Sequence, residues 1–351
     1  MKYIEQPWLI IRSSYLPLSF RLHRRVPLVV SGLVVVTLLV MILSIGFGEY
    51  AISPLDVVKT ILGLPTDHPD AGFVINTLRL PRVVAAFLVG TGLAIAGTIL
   101  QGLTRNPLAA PEIVGIEAGA GLAAVALIVL FPSVPAFVLP ITAFAGAFIS
   151  ALLVYGLAWE RGSAPIRLIL VGVGVGAIAS AGTSLLITFG NIEDVSQALV
   201  WLAGSVYGRT WEHVRALLPW LGVFIPLSLF YARDLNTLNL GDEVARGLGV
   251  SIEWRRGLLL LACVALAGAS VATAGTIGFV GLMSPHLARQ LVGPSHEGLM
   301  PTAALTGGLL VALADFLGRS LFAPIELPCG VITAVVGAPY FLYLLYRNRN
   351  T

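Results

Sequence analysis

Long runs of apolar residues alternate with short polar segments along most of the chain. Runs of about 18 residues or more recur, long enough to cross a hydrocarbon core of roughly 30 Å. The expected spans are 27–47, 83–103, 113–131, 136–159, 168–189, 214–231, 257–273, 276–291, 299–317 and 328–346. Gly and Pro interrupt the third and eighth. The pattern predicts an all-α integral membrane protein of about ten transmembrane helices.

Composition excludes an ordinary soluble protein. The chain is 57% hydrophobic and 11% charged, whereas a soluble domain carries roughly 25% charged residues. The first run follows a basic stretch, Arg21–Arg25, as a signal peptide would, but it is longer than the roughly 7–15 residues of such a segment. We therefore interpret it as an uncleaved span. The predicted organisation is a cytoplasmic or membrane-surface segment at 1–26, a transmembrane domain at 27–346 and a tail at 347–351.

The basic residues predict the orientation of these spans. Ten spans place both termini on one side, and with the termini inside, fifteen of the 21 Lys and Arg residues face the cytoplasm. Cytoplasmic connections carry the excess of positive charge, so we expect cytoplasmic termini. The six residues left outside are Lys59, Arg79, Arg82, Arg209, Arg215 and Arg319.

Several kinds of chemistry lack their sequence signals. A phosphate-binding loop needs Gly before Lys-Ser/Thr, but Lys59-Thr60 follows Val58 and the other lysine is Lys2. If ATP drives this protein, another subunit binds it. The basic residues form no stripe that would indicate nucleic acid, and neither histidines nor cysteines have metal-ligand spacing. We expect no catalytic residues, metal or cofactor.

The segment 232–256, between the sixth and seventh spans, is the longest predicted cytoplasmic loop and the richest in charge. Residues 242–248 are expected to form a short helix that starts with acids at its positive end and stops at Gly249. The segment is either a contact for an ATPase subunit or an ordinary solvated loop, and composition alone leaves both interpretations open.

A set of motifs resembles the permease subunits of ABC importers for iron–siderophore complexes, haem and cobalamin. They are Leu78–Arg82, Gly97–Gly102, Asn106–Gly115, Gly119–Gly121, Leu240–Gly249, Gly278–His286, Ala314–Arg319, Glu326–Gly330 and Gly337–Pro339. They follow the family's order over residues 49–346, and one departure is Ala110, where many members have Asp.

The resemblance implies partners and a place in the cell. A ten-helix subunit of the bacterial plasma (inner) membrane would pair with a second permease, which is either a copy of this chain or a relative. Two ATPase subunits would bind inside and a substrate-binding protein outside. The segment that resembles the family's coupling helices, and would contact the ATPase, contributes Leu240, Gly241, Asp242, Glu243, Ala245, Arg246, Gly247, Leu248 and Gly249.

Three of the outside arginines also match family motifs. At the positions of Arg79, Arg82 and Arg319, the resemblance implies contact with acidic residues of the binding protein. Guanidinium suits this contact because it holds a carboxylate through two parallel hydrogen bonds. The alternative is contact with lipid headgroups at the membrane interface.

Polar residues near the spans have simpler structural interpretations. Asp315 would pair with Arg319 four residues on, and Gln101, Asn106 and Glu112 would satisfy helix ends. A gradient-driven secondary transporter, the main rival, would instead need Asp315, Glu112 or Glu117 as an essential membrane carboxylate. The expected cargo, from the resemblance alone, is a ferric siderophore, with haem and cobalamin as alternatives.

Overall fold

The computed structural model describes residues 8–12, 19–48, 50–66, 70–159 and 165–347 of the chain. Two antiparallel strands, β1 (Trp8–Arg12) and β2 (Ser19–His23), precede the first span, with Trp8 opposite His23. The remaining elements in the described residues are helical. Parts of the predicted terminal segments, 1–7, 13–18 and 348–351, lie outside the described residues.

Ten helices of the described chain coincide with the ten expected spans. They are α1 (Arg25–Gly46), α4 (Leu80–Thr104), α5 (Ile116–Leu130), α6 (Val138–Ala158), α7 (Pro165–Phe189), α9 (Trp211–Phe230), α12 (Ile252–Ala274), α13 (Val280–Val292), α14 (His296–Ser320) and α15 (Cys329–Arg347). Eight are long and apolar enough to cross a membrane. Helices α5 and α13 are shorter than expected because left-handed residues, Gly115 and Phe279, stand immediately before them.

Shorter helices occupy the connections between spans. These are α2 (Pro54–Ile61), α3 (Ala71–Phe73), α8 (Ile192–Leu202), α10 (Ala232–Asn239) and α11 (Asp242–Gly247). A π-helical stretch, Val74–Arg79, joins α3 to α4. The connection 232–256 contains α10, α11 and the first residues of α12, so most of it is helical. The short helix expected at 242–248 is confirmed as α11, followed by Gly249 at φ +82°.

The interior is built around α4 and α12, most of whose length is buried, while α1, α7 and α15 are largely exposed. Close backbone approach makes this packing possible. A Cβ on Gly97 would overlap the carbonyl oxygen of Gly281 in α13, and one on Gly90 would overlap that of Gly307 in α14. Since lipid gives no hydrophobic drive between helices, small residues at such crossings allow dispersion contacts between backbones.

Candidate functional site

Arg79, Arg82 and Arg319, the three outside arginines singled out from the sequence, line one cavity of about 800 Å³. This cavity lies at the outer end of the bundle, which is the end that the charge distribution predicts to be outside. Arg79 is the last residue of the π-helical stretch, Arg82 lies in the first turn of α4, and Arg319 lies in the last turn of α14. The fold therefore brings Arg319 close to Arg79 and Arg82, which precede it in sequence by 240 and 237 residues.

Arg82 is held by two carboxylates of its own chain. Its Nε lies 3.1 Å from both Asp315 carboxylate oxygens and its Nη2 lies 2.8 Å from Oδ1. Its Nη1 donates to Glu326 Oε2 at 2.9 Å. The guanidinium also lies 5.4 Å from the centre of the Tyr207 ring. Because the Asp315 side chain is 3% exposed and that of Glu326 is 39% exposed, one partner is fixed in the interior and the other is open to the cavity.

Arg79 and Arg319 bind the outer end of α1. Arg79 donates to the carbonyl oxygens of Ile45 at 2.7 Å and Tyr50 at 2.8 Å. Arg319 donates to the Phe47 carbonyl at 2.9 Å and to Ser44 Oγ at 2.7 Å. The last carbonyls of a helix have no intrahelical donor, so cationic side chains stabilise such an end. The two arginines join the first span to the rest of the bundle.

The expected i,i+4 pair between Asp315 and Arg319 is present but is not the main interaction of Asp315. Its Oδ2 lies 3.9 Å from Arg319 Nε, farther than the contacts with Arg82. The tertiary fold brings a nearer guanidinium, that of Arg82, from α4.

On the inner face, Asp242 fixes the short helix α11. Arg256, at the start of α12, places Nη2 3.1 Å from both Asp242 oxygens, and its side chain is 2% exposed. Arg105, just after α4, contributes Nη2 at 3.3 Å from Oδ1. Ala245 is the buried residue of α11. The helix is thus attached to two of the most buried spans.

Apolar side chains in α11 and directly beside it are exposed on the surface of the chain. Leu240, Val244 and Leu248 are 63%, 48% and 64% exposed, and the Leu248 N–H donates to the Val244 carbonyl at 3.0 Å. Glu243, Arg246, Gly247 and Gly249 are exposed around them. A solvated loop has no need for exposed leucine and valine side chains at four-residue spacing, so this surface is typical of a protein contact.

Two residues of this surface were missed by sequence reasoning. Val244 was left out of the expected contact set, although its spacing from Leu240 and Leu248 indicates it. Trp254 is 66% exposed in the first turn of α12, and a large exposed aromatic residue next to a charged connection is a common feature of protein interfaces.

Glu112 and Asn106 have the structural partners that were expected at the helix breaks, whereas Gln101 contacts a carbonyl inside α13. Glu112 Oε1 accepts the Phe279 N–H at 2.8 Å, and Asn106 Oδ1 accepts the Leu108 N–H at 2.9 Å. Gln101 donates to the Leu282 carbonyl at 3.3 Å. The carboxylate of Glu117 is buried in the first turn of α5. Among the described residues, no three His, Cys, Asp or Glu side chains are grouped so that they could hold a metal ion.

Comparison with known proteins gives consistent matches over most of the chain. A sequence model of the FecCD transport family matches residues 36–347. The Fe(3+)-citrate import system permease protein YfmE of Bacillus subtilis is 46% identical over 326 residues, 93% of this chain and 96% of that protein. The probable siderophore transport system permease protein YfhA of the same organism is 45% identical over 321 residues, 90% and 93% of the two chains.

A solved structure matches as well. It is an inward-facing conformation of a metal-chelate type ABC transporter, with a TM-score of 0.83 and 32% identity. The match covers 92% of this chain and 99% of that one.

Proposed function

Because this chain belongs to the FecCD transport family and is a multi-pass permease subunit of an ABC importer, we propose that it carries ferric siderophores across the plasma membrane. The proposal on cargo is supported by relatives named for Fe(3+)-citrate import and for siderophore transport. Family membership implies ATPase and binding-protein partners. The finer proposal is two ATPase subunits inside, a second permease subunit beside this chain and a binding protein outside.

The exposed surface of α11 carries the proposal for the ATPase contact. Leu240, Val244 and Leu248 present apolar area outside the membrane, while Asp242 ties the helix to Arg105 and Arg256. A partner that pushes on this surface would pass its movement to α4 and α12. ATP binding in the partners would then switch the bundle between outward-open and inward-open arrangements.

Val244→Asp tests this contact. The charge would have to be desolvated at the interface, so we expect the ATPase subunits to be lost from the purified complex, and with them substrate-stimulated ATP hydrolysis in proteoliposomes. The matched control is Ile61→Asp, which alters a residue of similar exposure, 44%, at the end of α2 on the outer side. Normal ATPase binding by Val244→Asp would contradict the proposed contact.

Arg79, Arg82 and Arg319 are proposed to receive acidic residues of the binding protein. All three are already bound within the chain, so docking on Arg82 would exchange one carboxylate for another. Glu326 is the partner that can leave, because it is the more exposed of the two acids. One exposed pair contributes only about 0–1 kcal/mol, so several such contacts, from both permease subunits, are needed.

Glu326→Gln tests the exchange. Removing the internal competitor should tighten binding-protein affinity by up to about fivefold, the factor that corresponds to ~1 kcal/mol. Glu212→Gln, which removes another exposed acid on the outer side, is the control for a general charge effect. Equal changes in the two variants, measured by surface plasmon resonance on nanodisc-held complex, would show that Glu326 has no special part.

Cargo and energy source are tested in the assembled complex. Ferric siderophores, haem and cobalamin are added with the binding protein, and the ATPase rate and cargo uptake are measured. We expect ferric siderophores to stimulate both. Accumulation of cargo by the chain alone in liposomes, under an ion gradient and without ATPase subunits, would instead support the secondary transporter.

A further inference from the structure

A second polar cavity, of about 460 Å³, lies at the inner end of the bundle, where α1 begins, α13 ends and α14 begins. It is far along α14 from the arginine cavity, because that helix has His296 at one end and Arg319 near the other. Its lining combines the basic residues His23, Arg25 and Arg289 with the apolar residues Val26, Leu291 and Val292. The proposed transport function does not use it.

The polar groups of this cavity are suited to an anion. The cavity is lined by the guanidinium-bearing residues Arg25 and Arg289 and by His23, and no Asp or Glu is among its lining residues in the described part of the chain. Arg289 is oriented by Gln101, whose Oε1 accepts from Nη2 at 3.1 Å. The first turn of α14, with its positive dipole end, also borders the cavity.

Glu297, the acid that stands between the lining residues Ser295 and Gly298 in sequence, is engaged with other groups. Glu297, in the first turn of α14, accepts hydrogen bonds from Asn236 Nδ2 at 2.8 Å, from Arg233 Nε at 3.4 Å and from Oγ of the cavity-lining Ser295 at 2.5 Å. Its charge is therefore matched by groups of α10 rather than by the basic residues of the cavity.

One wall of the cavity is apolar and continues into the lipid-facing surface. Val26 packs on Gly298, where a Cβ would lie 2.7 Å from Val26 Cγ2. Leu291 and Val292 extend this wall, and Leu28, next along α1, is 77% exposed. Since only 17% of the most apolar stretch of α1 is buried within the chain, lipid acyl chains have a long surface to lie against.

We infer that this cavity binds the phosphodiester headgroup of an anionic phospholipid, with the acyl chains along the exposed face of α1. Basic pockets between membrane helices on the cytoplasmic side are suited to such headgroups. A free phosphate ion would use the guanidiniums but not the apolar wall, and an acidic protein segment would not extend along a lipid-facing helix. The combination of both surfaces favours lipid.

The test uses the intact complex, purified in mild detergent, and counts bound lipid by native mass spectrometry. Phosphatidylglycerol is the probe and phosphatidylcholine the zwitterionic comparison. We expect one phosphatidylglycerol per protomer to be retained, and Arg25→Gln to weaken its binding about fivefold, which corresponds to ~1 kcal/mol for one basic residue. Arg24→Gln, which removes the neighbouring exposed arginine that does not line the cavity, should change it much less.

A further variant and a competition experiment distinguish between the possible ligands. Arg289→Lys keeps the charge but not the planar geometry, and should weaken retention while the complex stays assembled. Equal retention of the two lipids, or equal losses in the Arg25 and Arg24 variants, would overturn the inference. So would displacement of the lipid by inorganic phosphate at equal concentration, or loss of ATPase subunits from Arg25→Gln with lipid binding unchanged.

Discussion

Asp315 and Glu326 bind the same guanidinium, and replacing each by its amide isolates the effect of burial on an ion pair. Asp315→Asn removes the buried charge that lies within 3.1 Å of Arg82 Nε, while Glu326→Gln removes the exposed one at 2.9 Å from Nη1. The amides have nearly the shape of the acids, so packing is almost unchanged. The comparison therefore measures charge.

The expected magnitudes follow from the two environments. Breaking a buried pair typically costs about 3–5 kcal/mol, because the remaining charge is left uncompensated. Arg82 is 13% exposed and would keep Glu326, and Asn retains one accepting oxygen, so we expect the low end, about 3 kcal/mol. For Glu326→Gln, solvent screening at an exposed pair limits the loss to about 0–1 kcal/mol.

The measurement is the free energy of unfolding of the chain in mixed micelles, from titration with sodium dodecyl sulfate and followed by tryptophan fluorescence. Asp315→Asn should shift the midpoint clearly to lower denaturant, and Glu326→Gln hardly at all. Equal losses in the two variants, or a larger loss for Glu326→Gln, would refute the reasoning that burial determines the cost.

Two further predictions concern helix packing and helix ends. Gly97→Ala should lower the yield of folded protein sharply, because the new Cβ would overlap the Gly281 backbone. Gly174→Ala is the control, since that position has open space, and it should behave as wild type. Fluorescence-detected size-exclusion chromatography measures both variants. Glu112→Ala should destabilise by about 1 kcal/mol, because it removes the acceptor of the half-buried Phe279 N–H. Glu112→Gln, which keeps an accepting oxygen, should recover most of that loss in the same detergent titration, and an unrecovered loss would point to a need for the charge.

Hydropathy was sufficient to locate ten helices, eight of which are long and apolar enough to cross a membrane, because crossing a hydrocarbon core demands long apolar runs whatever the tertiary contacts. The same measure misses α2, α8 and α10, since these helices are short and have one polar side. It also misplaces the start of α12, where Arg255 and Arg256 read as loop residues. Burial of Arg256 depends on Asp242 from another helix, which no local pattern reveals.

The same distinction between local sequence pattern and tertiary contact applies to the candidate sites. Positive charge outside breaks the topological trend and marks six residues. The resemblance to family motifs selected Arg79, Arg82 and Arg319 among them, and their grouping then required the fold. The main partner of Arg82 was missed because Asp315 is 233 residues away, while Arg319 stands at helical spacing from that same acid. Sequence spacing finds neighbours on one helix, and this ion pair joins two.

Helix α14 connects the two candidate sites physically. Glu297, which Asn236 of α10 contacts, and Asp315, which Arg82 of α4 contacts, are both in this helix. They are 18 residues apart, which is about 27 Å at ~1.5 Å per residue. α10 adjoins the proposed ATPase contact on α11, and α4 reaches both faces. A tilt imposed on α10 and α11 would therefore reach the outer cavity through α14 as a rigid element. Because α14 and α4 meet backbone to backbone at Gly90 and Gly307, the two helices have little freedom to move separately, and rotation of the pair is the motion that this packing favours.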